Sequence, residues 1–201
     1  MTILVTGFDP FGGECTNPSW EAVSRLPDTI AGAAVHKRQL PTVFGVAGET
    51  LKAAIAELQP DVVLCVGQAR GRAAITVERV AVNLRDARIP DNAGLQCVDE
   101  PIRVGGPDGY LSTLPTRAMV EAIQAGGLPA ALSYTAGTFV CNDVLYTLLD
   151  TAANERPVMR GAFVHVPYLP EQTADKPSQP SMALDDITHA LKLALTAVVE
   201  G

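Results

Sequence analysis

Basic residues are in short supply. Fifteen lysines and arginines face 22 aspartates and glutamates, giving a formal net charge of −7 at pH 7. That balance argues against electrostatic attachment to nucleic acid or to an anionic membrane surface. Long apolar runs are missing too: nothing in the chain approaches the roughly 18 consecutive apolar residues of a membrane span. The opening Met1-Thr2-Ile3-Leu4-Val5-Thr6 places no basic segment ahead of a long apolar one. A signal peptide is therefore not expected, and the cytoplasm is the default compartment. The four cysteines, Cys15, Cys65, Cys97 and Cys141, form no CxxC pair and no Cys/His cluster, so a structural zinc site has no support. Counting alone leaves two disulfides open, but free thiols are expected of a cytoplasmic chain of this size. The loop from Gly7 to Gly13 lacks both the Lys-Ser/Thr that closes a P-loop and the spacing of a dinucleotide fingerprint.

What is present is a chain of 201 residues, 47% hydrophobic and 18% charged. It suits one domain over residues 1–201 with a sizeable core. Strand and helix patterns alternate along it. Thr2–Thr6, Ala34–Leu40, Val62–Gly67, Ile75–Leu84, Ala130–Thr135 and Gly161–Val166 read as strands. Asn17-Pro18 supplies an N-cap and a first-turn proline for a short helix through Leu26. Further helices are expected at Phe44–Leu58, with Val46, Leu51, Ala54, Ile55 and Leu58 near one face, and at Pro115–Gln124, Cys141–Ala152 and Met182–Val199. Arg85–Tyr110 reads as irregular structure or a hairpin, and Thr173–Pro180 as a surface loop. The sum is an α/β fold, a three-layer α/β/α domain with a mostly parallel, twisted open sheet. Val62–Gly67 is continuously apolar, as befits a strand covered on both faces.

Three side chains stand out chemically. Cys141 follows a Gly-containing turn and opens a helix whose apolar residues Val144, Leu145, Leu148 and Leu149 recur at helical spacing. A helix N-terminus favours thiolate over thiol, although burial in the core is the commoner fate of a lone cysteine. His165 sits in the apolar strand Ala162-Phe163-Val164-His165-Val166-Pro167. It is either a satisfied core residue or a functional group at a strand end, where open α/β sheets bind ligands. His36 and His189 have solvated or motif-free surroundings. Glu78 falls on the alternation face of Val80, Val82 and Leu84, where a carboxylate is costly unless paired. It serves either in a salt bridge to a nearby arginine or as the residue orienting a histidine. Together the three make a plausible Cys-His-Glu set, whose order along the chain is immaterial. Phe8 and Phe11 either line an apolar pocket or anchor their loop to the core. The alternation pattern by itself would also serve a non-catalytic ligand-binding protein, and the Cys-His-Glu set would serve an amidase or transferase.

Several longer blocks add to this. Thr6-Gly7-Phe8-Asp9-Pro10-Phe11-Gly12-Gly13 with Asn17-Pro18, then Cys65-Val66-Gly67-Gln68-Ala69, Val77–Asn83 and Ala87–Asn92 come first. Ser133–Asn142 and His165–Gln172 follow. In this order they resemble the pyroglutamyl peptidase I (pyrrolidone-carboxylate peptidase) family of cysteine peptidases across nearly the whole chain. Arg70 departs, standing where many relatives are expected to carry a small residue. The resemblance implies removal of an N-terminal pyroglutamyl residue from peptides, with Cys141 as nucleophile, His165 as base and Glu78 orienting it. It also implies a homotetramer and no metal or organic cofactor. The oxyanion would fall to the Cys141 N–H and Arg88, whose loop matches the family's. The lactam ring would fall to walls at Phe8 and Phe11, with polar partners at Gln68 and near Asn17.

Overall fold

In the computed structural model, which describes residues 1–176 and 178–201, nine strands and five α-helices alternate. Seven strands form one sheet in the order β2-β3-β1-β4-β9-β5-β8. They are β1 (Thr2–Phe8), β2 (Thr29–Ile30), β3 (Ala33–Leu40), β4 (Val62–Gln68), β5 (Ile75–Glu78), β8 (Ala130–Ser133) and β9 (Arg160–Val166). The pairs β1–β3, β1–β4, β4–β9 and β5–β8 are parallel; β2–β3 and β5–β9 are antiparallel. Every residue of β4 is buried, because helices cover both of its faces. Each fully buried valine or leucine there contributes on the order of 1.5–3 kcal/mol.

Helices α1 (Pro18–Ser24), α3 (Thr116–Ala125) and α5 (Leu184–Glu200) cover one face. Helices α2 (Val46–Leu58) and α4 (Val140–Asn154) cover the other. The architecture is thus the expected three-layer α/β/α arrangement on a mostly parallel sheet. Asn17 caps α1 as anticipated, its side chain accepting from the Ser19 N–H at 3.1 Å. Pro177, within the Thr173–Pro180 segment, lies outside the described residues.

Two expectations need correction. Ile75–Leu84 is not one strand. It divides at Arg79, whose N–H donates to the Ser133 carbonyl at 2.7 Å while its own carbonyl accepts from the Ser112 N–H at 3.0 Å. Beyond it β6 (Val80–Val82) leaves the sheet and pairs with β7 (Gly109–Leu111) as a separate ribbon. Glu78 therefore does not share a face with Val80 and Val82; within β5 it shares one with Thr76, on the α2/α4 side. In α2 the buried face is Ala47, Gly48, Leu51, Ala54 and Ile55. Val46 opens that helix and is exposed, turned away from the face that buries Ala47 and Gly48 in the same turn.

Candidate active site

The C-terminal ends of β1, β4 and β9 and the start of α4 converge on a cavity of about 850 Å³, within the range of small-ligand sites. Phe8, Phe11, Asn17, Gln68, Arg88, Cys141 and His165 all line it. Glu78 stands behind His165, fully buried. The structure thus brings every residue singled out in the sequence to one place, with the carboxylate one layer back.

Cys141 is the second residue of α4, so its N–H is among those that have no carbonyl below them in the helix. The start of this helix is held by the two residues that follow. Asn142 accepts from the Val82 N–H at 3.0 Å and donates to the carbonyls of Val82 and Leu84 at 2.9 and 3.0 Å. Asp143 takes the Arg85 guanidinium at 2.8 Å and the Gly45 N–H at 3.0 Å. The preceding loop is tied to the Arg88 loop, since the Thr138 hydroxyl donates to the Asp86 carbonyl at 2.7 Å and the Asp86 N–H returns to Thr138 at 3.0 Å.

Gly67 and His165 are register partners on neighbouring strands. A Cβ placed on Gly67 would lie 2.9 Å from Cys141 Sγ and 2.7 Å from Phe163 Cζ. The thiol occupies the space that a side chain at position 67 would fill, over a strand whose backbone runs about 4.8 Å from that of His165. Only glycine leaves that room.

His165 Nδ1 lies 2.8 Å from Glu78 Oε1. An ionised carboxylate can only accept, so Nδ1 carries the proton and Nε2 is left as the basic nitrogen. The same Oε1 accepts from Arg72 Nη1 at 2.7 Å, and Arg72 also reaches Thr76 Oγ1 and the Thr135 carbonyl. Both structural readings of Glu78, salt bridge and histidine partner, hold at once. Burial pushes the Glu78 carboxyl up, but the His165 hydrogen bond and charge, with Ser133 and Arg72, hold it below its ordinary value. Burial pushes the His165 imidazole down and outweighs the upward pull of Glu78. Both shifts are downward, and the state they favour is a neutral imidazole donating to a carboxylate.

The Cys141 thiol is pushed up to about 12, by burial first and then by the negative charge of Glu78, against Arg72 and its own N–H. The helix start favours thiolate, but desolvation pushes the other way more strongly. All four cysteines are free, as expected. Among the described residues no group of three or more His, Cys, Asp or Glu is arranged to hold a metal ion.

Of the two aromatic candidates, Phe8 is core, only 2% exposed and 6.3 Å from the Phe163 ring, with an edge on the cavity. Phe11 is half-buried and faces Phe139 at 6.2 Å. Phe139, Arg72, Asn142 and Asp143 are the residues that sequence reasoning passed over. The signal available was the polar pair Asn142-Asp143 directly after the cysteine, in the first turn of an otherwise apolar helix. Asn17 is largely committed: its carbonyl oxygen serves the Ser19 N–H and hydroxyl, and its amide donates to the Asp9 carbonyl at 2.9 Å.

A thiol, an imidazole backed by a buried carboxylate and a free N–H at a helix start, all at one cavity, are the components from which thiol-dependent hydrolases are built. The family model described as pyroglutamyl peptidase matches residues 1–201. The pyrrolidone-carboxylate peptidase of Enterococcus faecalis is 54% identical over 200 residues, covering 100% of this chain and 94% of that protein. That of Brevibacillus brevis is 54% identical over 199 residues, covering 98% and 93%. The crystal structure of Bacillus amyloliquefaciens pyroglutamyl peptidase I superposes with a TM-score of 0.96 at 52% identity, over 100% of this chain and 97% of that one. A mutant pyrrolidone carboxyl peptidase from the hyperthermophile Pyrococcus furiosus gives 0.96 at 43% identity, over 100% and 99%. The chain belongs to the pyroglutamyl peptidase family.

Proposed function

We propose that residues 1–201 act as one catalytic domain that removes an N-terminal pyroglutamyl residue from peptides, through a thioester on Cys141. The observation that carries the mechanism is Cys141 Sγ packed over Gly67, the strand neighbour of His165, whose Nδ1 lies 2.8 Å from Glu78, with both side chains lining one cavity. His165 Nε2 takes the thiol proton as sulfur attacks the carbonyl carbon that joins pyroglutamate to the next residue. Glu78 stabilises the imidazolium so formed. The developing oxyanion is met by the Cys141 N–H and by Arg88 on the facing loop. His165 then gives its proton to the leaving amine. Water, deprotonated by the same imidazole, hydrolyses the thioester and releases pyroglutamate.

Selection follows from the acyl group. A pyroglutamyl ring is flat, carries no α-ammonium, and offers one N–H and one C=O. Phe11 and Phe139, with the edge of Phe8, provide apolar walls, and Gln68 provides a buried amide. Proline lacks the ring carbonyl and brings a charged nitrogen, so it would leave the amide unpaired. We further propose a cytoplasmic homotetramer without cofactor. Among the described residues no helix is long and apolar enough to cross a membrane, and exposed Ile89, Leu95, Val98 and Leu111 offer apolar surface for an assembly to cover.

The test is release of a reporter amine from pyroglutamyl, prolyl and glutaminyl derivatives, with and without iodoacetamide. The proposal expects turnover of the pyroglutamyl compound alone, abolished by the alkylating agent. Preferred turnover of the glutaminyl or prolyl compound would assign the site to another acyl group.

A further inference from the structure

Which end of the Gln68 amide faces the cavity decides what a ligand must bring to it, because one end only donates and the other only accepts. That orientation is set by a chain of hydrogen bonds that begins on the backbone. The Leu169 N–H donates to Gln172 Oε1 at 2.9 Å. A backbone N–H cannot accept, so it fixes the carbonyl end of Gln172 and turns Nε2 the other way. Nε2 of Gln172 then donates to Gln68 Oε1 at 3.0 Å, with longer contacts of 3.4 Å to Glu14 Oε2 and the Thr16 carbonyl. Both glutamines are only 7% exposed, so water does not offer either an easy alternative partner. The short 3-10 turn Pro170–Thr173 that carries Gln172 is itself tied down. Lys176 Nζ bonds Glu14 Oε1 at 2.7 Å and the Gln172 carbonyl at 2.9 Å, joining this turn to the loop that presents Phe11.

We propose that Gln172 is a specificity-determining positioning residue: it holds the carbonyl of Gln68 so that the N–H donors of Gln68 face the cavity and take the ring carbonyl of a pyroglutamyl group. The inference rests on the function proposed above. It divides the recognition of the lactam into two. The ring carbonyl belongs to Gln68, and the ring N–H must find its acceptor elsewhere on the cavity wall. It also gives the discrimination against proline a definite atom, since a prolyl ring leaves the Gln68 N–H unpaired in a buried site.

The test uses the full chain, the pyroglutamyl and prolyl reporter derivatives, and two variants. In Gln172→Glu the Leu169 N–H keeps an acceptor, but the second oxygen can no longer donate. Gln68 must turn its NH2 towards that oxygen, which sets its own carbonyl against the ring carbonyl. KM for the pyroglutamyl compound should rise about tenfold or more, with kcat changed far less and the rate of Cys141 alkylation by iodoacetamide unchanged. Gln172→Met keeps the length, adds no charge beside Glu14 and frees Gln68, while also taking the acceptor from the Leu169 N–H. It should give a smaller rise in KM and a narrower preference for pyroglutamyl over prolyl, and it decides the matter if the glutamate variant does not fold. Wild-type KM and wild-type preference in the folded variants would overturn the role of Gln172 alone. A wild-type protein that releases nothing from the pyroglutamyl compound would bring down the functional reading, and this inference with it.

Discussion

At the scale of single residues, the site is a contest between a helix start and its own burial. Cys141 lies where helix geometry favours a thiolate, yet burial and the Glu78 charge push the thiol up to about 12. His165 is pushed below its ordinary 6.5, so both shifts favour thiol and imidazole over thiolate and imidazolium. The consequence is measurable. Alkylation at Cys141, located by peptide mass spectrometry because Cys15 is exposed and would react as well, should accelerate with pH past the ordinary thiol value of 9. A rate already at its plateau below pH 6.5 would show a preformed thiolate–imidazolium pair instead. The chemistry-bearing atoms were legible in the sequence because each breaks a local pattern. Cys141 follows a glycine turn, His165 interrupts an apolar strand, and Glu78 lies in a β-branched run. Arg72 was not legible as a partner of Glu78, since its loop position carries no period and the contact depends on how β5 meets β9. The same holds for Phe139, which reads as one more apolar residue before a helix.

At the scale of elements, α4 positions the thiol, and what positions α4 is the β6–β7 ribbon. Asn142 satisfies three backbone groups of Val82 and Leu84. Asn142→Ala leaves the Val82 N–H and the Leu84 carbonyl unpaired, while the Val82 carbonyl keeps the Leu84 N–H at 2.9 Å, and should cost about 1–3 kcal/mol in urea unfolding. It should also lower kcat, because the first turn of α4 loses its tether. An unchanged unfolding midpoint would mean that the ribbon does not support the helix. The strands of the main sheet could be read from their apolar runs with bounds off by a residue or two. The break at Arg79 escaped, although the apolar positions change phase there, from Ile75 and Val77 to Val80 and Val82 across the polar pair Glu78-Arg79. The strand ends there because Ser112 and Ser133 pair with Arg79, a tertiary choice that the change of phase alone does not specify. The two-residue edge strand β2 escaped for a related reason: it is too short to show a period.

For the whole molecule, the buried Glu78–His165 pair makes stability depend on acid in a defined direction. The folded His165 stays neutral below its ordinary 6.5, and the folded Glu78 stays ionised below its ordinary 4.5. In both windows the unfolded chain binds more protons than the folded one, so stability rises with pH. Urea midpoints should therefore fall as pH drops below 6.5 and fall further below 4.5. A midpoint that holds steady through both windows would mean that the pair is not buried as described. The three-layer plan itself follows from the sequence with little left over, since a fully buried β4 demands helices on both faces. The meeting of β1, β4, β9 and α4 at one cavity depends on strand order, on which local pattern is silent.

The central claim is that Cys141 is the nucleophile for a pyroglutamyl group. It is tested most directly by turnover of the pyroglutamyl reporter amide in Cys141→Ala, with thermal unfolding as the control for folding. The predicted result is a loss of roughly a thousandfold or more with an unfolding temperature close to that of the wild type. Turnover near the wild-type rate in a folded Cys141→Ala protein would contradict it.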